Sequence, residues 1–224
     1  MLRSRELLDE FRTVFAGRNS FLDAILPPIL FLLVNGLVGF QAAMWSALAL
    51  SVVFAAVRMF RKQSLTYALA GIGGVAVAIG IVWLLGKSEG FFLPGLISGS
   101  TTLLLIILSL VIRRPLVAWT SLVARRWPLD WYWHPQVRPA YSETTFGWAV
   151  FFAARLFLQY SVYQSEDVTL LAVTSFITGW PFIILLLILT YLYGTWRLVK
   201  LQGPSVEEFK NNTPPPWQSQ RRGF

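Results

Sequence analysis

Long apolar runs constrain this chain more than any other feature of its sequence. A helix that crosses the hydrocarbon core of a bilayer needs about 20 mostly apolar residues. Because no water is present there to pair exposed backbone groups, such runs have to form helices. Six of them occur, at residues 21–40, 43–59, 65–85, 91–112, 145–163 and 168–196. The sequence therefore predicts an all-α polytopic membrane helix bundle with six transmembrane helices.

The composition points to the same class. Only 13% of the residues are charged and 55% are hydrophobic, whereas soluble domains carry about 25% charged residues. The chain has no cysteine and a single histidine, His134, which excludes a disulfide framework, a thiolate site and a multi-histidine metal site. The net charge of +8 is typical of a membrane protein with basic cytoplasmic loops. We therefore expect the lipid bilayer as a partner, and no nucleic acid.

The positions of the basic residues predict an orientation. Of the 19 Lys and Arg residues, 17 precede the first run or follow the second, fourth and sixth runs. The loops on the other side hold only Lys87, and Arg155 lies within the fifth run. Basic residues favour the cytoplasmic side. This pattern predicts a multi-pass protein of the cytoplasmic (inner) membrane, with both termini in the cytoplasm.

The polar segments divide the chain into three parts. Residues 1–20 place apolar side chains on one helical face and charges on the other, which predicts an N-terminal cytoplasmic amphipathic helix. Residues 21–200 form the six-span membrane domain. Residues 201–224 are polar and Pro-rich, which predicts a disordered cytoplasmic tail. Within the membrane domain, "RRPLVAWTSLVARRW" (113–127) is too short and too basic to span, so we expect an interfacial or shallow re-entrant helix.

An internal repeat has two competing interpretations. "LPPI" (26–29) resembles "LPGL" (93–96), and the two lie in oppositely oriented runs, which favours a three-plus-three inverted repeat. Basic residues that end each pair of runs favour three parallel hairpins instead. The sequence does not decide between these arrangements.

A charge lies near the centre of the fifth run, "GWAVFFAARLFLQYSVY" (147–163). An arginine at mid-membrane costs ~2.5–3.5 kcal/mol on the insertion scale, so it needs a partner. We consider Asp23, a layer of amides, hydroxyls and freed carbonyls, or an anion from outside the chain such as a lipid phosphate. The candidate intramembrane polar layer, selected by depth in each run, consists of Arg155, Gln159, Asn35, Ser98, Ser100, Thr101 and Asp23.

A second candidate site lies at the predicted cytoplasmic surface. Bases that follow the second and fourth runs either bind lipid headgroups or serve only to set the topology. They are Arg58, Arg61, Lys62, Arg113 and Arg114. Motifs of the common hydrolases, metalloproteases and phosphate-binding loops do not occur in the sequence. We therefore expect no enzymatic activity, no cofactor and no metal.

Four segments carry a family resemblance. They are "VRMFRKQSLTYALAG" (57–71), "FFLPGLISG" (91–99), "RRPL" (113–116) and "AARLFLQ" (153–159). Together they resemble the uncharacterised bacterial membrane family known as domain of unknown function 3159, over about residues 21–195. "RRPL" followed by "WAVFF" (148–152) is more distantly similar to intracellular septation protein A, an inner-membrane family associated with cell division and envelope upkeep. The resemblance implies a membrane helix bundle and supplies no catalytic residues or mechanism.

Two functional hypotheses follow from the sequence. The first is a non-enzymatic protein of envelope, septation-type or membrane-complex organisation, acting through contacts with membrane protein partners or a second copy. Its candidate contact surfaces are the loop 113–140 and the tail. The alternative is a small transporter or a lipid-binding or lipid-handling protein that uses the intramembrane polar layer around Arg155.

Overall fold

The chain is helical in the part that the structure describes. The computed structural model describes residues 29–60 and 65–224, without the side chains of Arg58 and of residues 65–72. No strand occurs among these residues, which confirms the prediction of an all-α fold for them. A 3₁₀ helix lies at Ser88–Phe92, and the α-helices are α1 (residues 29–37), α2 (Phe40–Phe60), α3 (Leu65–Leu85), α4 (Leu93–Val111), α5 (Leu116–Arg125), α6 (Leu129–Tyr132), α7 (Arg138–Gln164), α8 (Val168–Ile177), α9 (Trp180–Leu201) and α10 (Val206–Lys210).

Three helical stretches of the described residues are long and apolar enough to cross a membrane, judged by length and composition alone. They are Phe40–Val57, Ser88–Val111 and Val168–Leu201. Large apolar side chains such as Leu104 and Leu185 are exposed along them, which is rare on the surface of soluble proteins. These features are typical of a membrane protein. The count of six spans and the orientation stay predictions.

Glycines in the left-handed region separate the first helices. Gly39, at φ +109°, lies between α1 and α2, and its N–H donates to the carbonyl of Val34 at 3.2 Å. Gly86, at φ +65°, ends α3 with a hydrogen bond from its N–H to the carbonyl of Val82 at 2.9 Å. Only glycine adopts this conformation without a steric penalty. The two positions therefore set where these helices end.

The sixth predicted run is divided into α8 and α9. An added Cβ at Gly179 would lie 2.9 Å from the carbonyl oxygen of Ser175, so the turn between the helices requires glycine. Pro181 follows in the first turn of α9, where its missing N–H leaves no helical hydrogen bond unmade. The proline thus ends one helix and permits the next.

The chain divides into two compact units. The first unit comprises Met1–Pro94 and Ser161–Trp180. Its described core is built from phenylalanine and alanine, in which Phe31 stacks on Phe91 with a centroid separation of 5.2 Å. An exposed ion pair joins Lys87 Nζ to Glu166 Oε1 at 2.7 Å.

The second unit comprises Gly95–Tyr160 and Pro181–Phe224. Helices α4 and α7 approach closely at Gly99, where an added Cβ would lie 3.0 Å from Leu156 Cδ2. Its largest buried cluster lies around the loop between these helices and involves Ala118, Trp131, Tyr132, Val137, Ala140, Tyr141, Leu198 and Val206. The polar connection therefore contains a folded core of its own.

The tail, which the sequence predicts to be disordered, packs on the second unit in the structure. Residues 206–210 form α10, Val206 is buried, and Phe224 packs on the cluster of the second unit. The tail is ordered because its few apolar side chains cover an aromatic surface whose burial opposes the loss of chain entropy. The predicted amphipathic helix at residues 1–20 lies outside the described residues.

Candidate functional site

The loop after α4 and the carboxyl-terminal tail form one interlocked structure. We call residues 113–141 and 194–224 the platform. The indole Nε1 of Trp131 donates to the carbonyl of Pro204 at 2.8 Å. The ring of Phe224 stacks on that of Tyr141, with 4.3 Å between centroids and 7° between planes. Arg125 Nε donates to the carbonyl of Phe224 at 3.0 Å, so each segment holds the other in place.

Two hydroxyl groups fix the start of α5. The backbone N–H of Leu116 donates to Ser109 Oγ at 3.1 Å, and that of Val117 donates to Thr145 Oγ1 at 3.3 Å. The first N–H groups of a helix lack partners within the helix. Here α4 and α7 supply them, which ties the beginning of α5 to both helices.

A capping box folds the tail. The Ser205 hydroxyl accepts from the N–H of Glu208, and the Glu208 carboxylate accepts from the N–H of Ser205. The other oxygen of this carboxylate accepts from the N–H of Gln218 at 2.8 Å. These backbone donors, with Gln218 as the largest contribution, lower the pKa of Glu208. One carboxylate thereby joins α10 to the segment after the prolines.

Basic side chains lie over tryptophan rings at three places on the platform. The Arg114 guanidinium lies 4.3 Å from the ring centroid of Trp133. Arg125 lies 5.1 Å from the ring of Trp127, and Lys200 Nζ lies 5.0 Å from the ring of Trp196. Such cation–π contacts orient the cation, and aromatic residues of this kind favour the headgroup region of a bilayer. The platform therefore combines positive charge with interfacial aromatic groups.

Glu143 on α7 binds Arg197 on α9 through two hydrogen bonds. Arg197 donates from Nε to Glu143 Oε2 and from Nη2 to Glu143 Oε1, both at 2.7 Å. The hydroxyl of Tyr193 donates to the same carboxylate at 2.7 Å. The Arg197 guanidinium holds the pKa of Glu143 below its ordinary value. Sequence reasoning missed this pair, because 54 residues separate its members and neither belongs to a motif.

Three titratable side chains contribute to the platform interior. Burial raises the pKa of Tyr132 and of Tyr141 above their ordinary values. The Tyr141 hydroxyl is buried without a hydrogen-bond partner among the described residues. His134 packs edge-on against Phe209 and Trp217 of the tail, and burial lowers its pKa. Uncharged forms of all three groups are therefore favoured.

The hydrogen bonds described for members of the predicted polar layer run to partners outside the layer or to backbone carbonyls. Asn35 donates to Thr169 Oγ1 at 3.1 Å in the first unit. Ser100 and Thr101 donate to carbonyls of their own helix, and Ser98 accepts through its carbonyl from Thr102. Gln159 is buried, and Arg155 is half-buried with no hydrogen-bond or ion-pair partner among the described residues. Asp23 lies outside the described residues.

Two of the predicted headgroup contacts are described. Arg113 and Arg114 are exposed at the start of the platform, and Arg113 adopts a positive φ of 56°. The side chains of Arg58, Arg61 and Lys62 lie outside the described residues. Among the residues that the structure describes, no three His, Asp or Glu side chains are arranged to hold a metal ion. The described part of the site therefore consists of basic side chains and an aromatic surface.

Comparison with known proteins assigns a family. The model of a family described as protein of unknown function (DUF3159) matches residues 15–198. No curated protein and no solved structure matches the chain. The resemblance to domain of unknown function 3159 is thereby confirmed, and the likeness to intracellular septation protein A stays a prediction.

Proposed function

The chain belongs to the DUF3159 family, whose function is unknown, and we propose that it organises a membrane complex through protein contacts of its platform. In this proposal it is a non-enzymatic, multi-pass protein of the cytoplasmic membrane, with both termini and the platform in the cytoplasm. The complex is of the envelope or septation type, a part of the proposal that rests only on the sequence likeness.

The interlock of loop and tail is the observation that carries this proposal. Trp131 and Tyr141 are fully buried and hold Pro204 and Phe224. A surface that is already ordered loses little conformational entropy when a partner binds, which favours affinity. A mobile tail would have to be ordered first.

The tail face of the platform offers the contact surface. It combines one acid, one base, two amides and three consecutive prolines, all exposed. They are Glu207, Lys210, Asn211, Asn212, Pro214, Pro215 and Pro216. A non-obligate interface is about as polar as the rest of a protein surface, so the mixed character of this face is compatible with a reversible contact. We therefore expect a protein partner, which includes a second copy of the chain.

Photo-crosslinking tests the proposal in the native host. Benzoylphenylalanine replaces Lys210 on the platform or Phe146 on α7, two exposed positions of the second unit. We expect a discrete protein adduct at position 210 and none of the same mass at 146. The substitution Trp131→Ala, which removes the bond to Pro204, should abolish the adduct at 210.

The outcomes separate three cases. An adduct of twice the chain's mass assigns the contact to a second copy, and a different mass identifies another protein. Absence of any platform adduct, from chains that are present at normal levels in the membrane, would refute the proposal. An adduct that survives Trp131→Ala would show that the interlock is not needed.

A second candidate function rests on Arg155. This half-buried guanidinium has no hydrogen-bond or ion-pair partner among the described residues. An unpaired charge within an apolar helix is a functional candidate by default. We propose as the alternative that it binds an anion or a lipid phosphate during transport or lipid handling.

Reconstitution distinguishes this alternative. Proteoliposomes with the unaltered chain, Arg155→Gln or Arg155→Lys are assayed for anion flux and for lipid binding. The alternative predicts loss with glutamine and partial retention with lysine, which keeps the charge but not the planar fork. Equal flux and binding in all three proteins would exclude it.

A further inference from the structure

Helix α5 has a buried face and an exposed face, and the exposed face is apolar. Ala118 and Ser121 face the platform core, with 1% and 6% of their surface exposed. Trp119 and Val123 face outward, with 41% and 78% exposed. The spacing of these residues agrees with two sides of one helix. The outward face, from Leu116 through Ala124, carries no charged residue.

This arrangement differs from that of a helix on a water-exposed surface, because both sides of α5 are free of acids and its inward side joins the hydrophobic cluster through Ala118 and Leu122. Such a helix directs its apolar side inward and its charged side outward. In α5 the inward side includes the Ser121 hydroxyl, which shares a hydrogen bond with Tyr132, and Arg125, which donates to the tail. The outward side holds tryptophan and valine. An apolar medium on the outer side accounts for the exposed Trp119 and Val123 and for the lack of charge between them.

The start of α5 is fixed at the end of a candidate membrane span. The stretch Ser88–Val111 is one of the three stretches long enough to cross a bilayer. Ser109 in its last turn accepts the hydrogen bond from the N–H of Leu116. Thr145, where the fifth apolar run begins, accepts from Val117. The beginning of α5 therefore lies beside the last turn of α4 and beside Thr145, where the predicted apolar run of α7 begins.

Positive charge surrounds the apolar face at both ends. Arg113 and Arg114 precede α5 and Arg126 follows it, and all three are exposed. No acid occurs between residues 113 and 129, and no described carboxylate forms an ion pair with these arginines. The first N–H groups of α5 already have partners, so an anion has to be bound by the guanidinium groups. Trp133 orients one of them, that of Arg114.

We infer that the outward face of α5 lies in the headgroup layer of the membrane and that Arg113, Arg114 and Arg126 bind the phosphates of anionic phospholipids. Trp119 and Val123 enter the acyl boundary, as in other interfacial helices. Lipid covers this face because its apolar side chains match the acyl boundary of a bilayer and the flanking arginines match its anionic headgroups. The tail face of the platform remains available to water.

Site-directed spin labelling tests the position of α5. The chain has no cysteine, so Val123→Cys introduces a single labelling site on α5 and Glu207→Cys a matched exposed site on α10. Both proteins are placed in vesicles of phosphatidylcholine mixed with phosphatidylglycerol. We expect the label at 123 to collide more with oxygen than with a water-soluble nickel complex, and the label at 207 to show the reverse.

Two results would overturn the inference. A label at 123 that is as accessible to the nickel complex as the label at 207 would place α5 in water. A label at 123 that neither reagent reaches would show that protein, such as a second copy, covers the face. Val123 is largely exposed, so the label is not expected to disturb folding.

Lipid selectivity tests the arginines. The association of spin-labelled phosphatidylglycerol, relative to phosphatidylcholine, is measured for the unaltered chain, Arg113→Gln and Arg126→Gln. We expect each substitution to lower this preference by up to about fivefold, the effect of one base near an anionic surface. Lys210→Gln on α10 is the control and should retain it. Equal preference in all four proteins, or full competition by inorganic phosphate, would overturn the phosphate assignment.

Discussion

Two arginines of the second unit have opposite surroundings. Arg197 on α9 is held by both oxygens of Glu143, which also accepts from Tyr193. Arg155 on α7 has no hydrogen-bond or ion-pair partner among the described residues. Glu143 and Arg155 belong to the same helix. At the start of α7, both carboxylate oxygens of Glu143 accept hydrogen bonds, whereas Arg155 in the middle of the helix has no partner among the described residues.

This difference shows where charged side chains stabilise the fold of the second unit. On the platform, charged groups pack against aromatic rings. Arg114 lies over the ring of Trp133, and Arg125 lies over the ring of Trp127. Removal of a buried residue of the platform such as Trp131 leaves the buried carbonyl of Pro204 without its hydrogen-bond partner, which is destabilising. Arg155, in the middle of α7, has no such partner among the described residues. Substitutions in the two regions should therefore differ in sign as well as in size.

The largest expected effect comes from Trp131→Ala, which removes the centre of the platform core. Loss of a fully buried tryptophan costs about 3–5 kcal/mol, and the bond to Pro204 is lost as well. Trp131→Phe keeps most of the ring and should cost about 1–2 kcal/mol, since it leaves the carbonyl unpaired. Thermal and denaturant unfolding in mild detergent measures both. Equal stability of the two variants would contradict this account of the platform.

The second-largest effect is expected when the hydrogen bonds of Glu143 with Arg197 and Tyr193, at the start of α7, are broken. Glu143→Gln should lower the free energy of unfolding by about 1–2 kcal/mol, because it removes a charge-assisted pair. The effect is at the lower end because 35% of the Glu143 side chain is exposed to solvent. The double variant Glu143→Gln with Arg197→Gln should recover part of the loss in a double-mutant cycle. Additive effects would show that the two side chains do not interact.

Arg155→Gln should have the opposite sign. A lone arginine in an apolar helix is unfavourable by ~2.5–3.5 kcal/mol on the insertion scale. Its removal should leave the unfolding free energy unchanged or raise it. Arg155→Lys keeps the charge and should therefore not raise the unfolding free energy. The same unfolding assay as for Glu143→Gln gives a direct comparison. A loss as large as that of Glu143→Gln would reveal a structural partner and would weaken the alternative function.

The smallest effect depends on pH and involves His134. Burial against Phe209 and Trp217 lowers its pKa, so the folded platform favours neutral imidazole. The packed tail is fully stabilised above the ordinary histidine pKa, about 6.5, and becomes less stable as pH falls below that value. Protease sensitivity of the tail from pH 7.5 to 5.5 measures it. His134→Gln should remove this dependence.

The sequence anticipated much of the helical framework and little of the candidate site. The run 65–85 coincides with α3, and the short helix predicted within 113–127 is found at Leu116–Arg125. Local periodicity carries that information. Ser205 and Glu208 have the spacing of a capping box, so attention to "SVEE" would have indicated order in the tail. No local signal reveals that Phe224 reaches Tyr141 or that Glu143 reaches Arg197.

The sequence by itself determined that the chain is helical, apolar and basic, because these properties depend on residue type and spacing along one segment. It also predicted Arg113 and Arg114 as candidate headgroup contacts from their position after the fourth apolar run. Only the tertiary structure decided that the tail folds, that α5 turns its apolar face outward, and which arginine is paired. These outcomes depend on which distant side chains meet, and that depends on packing that no single segment encodes.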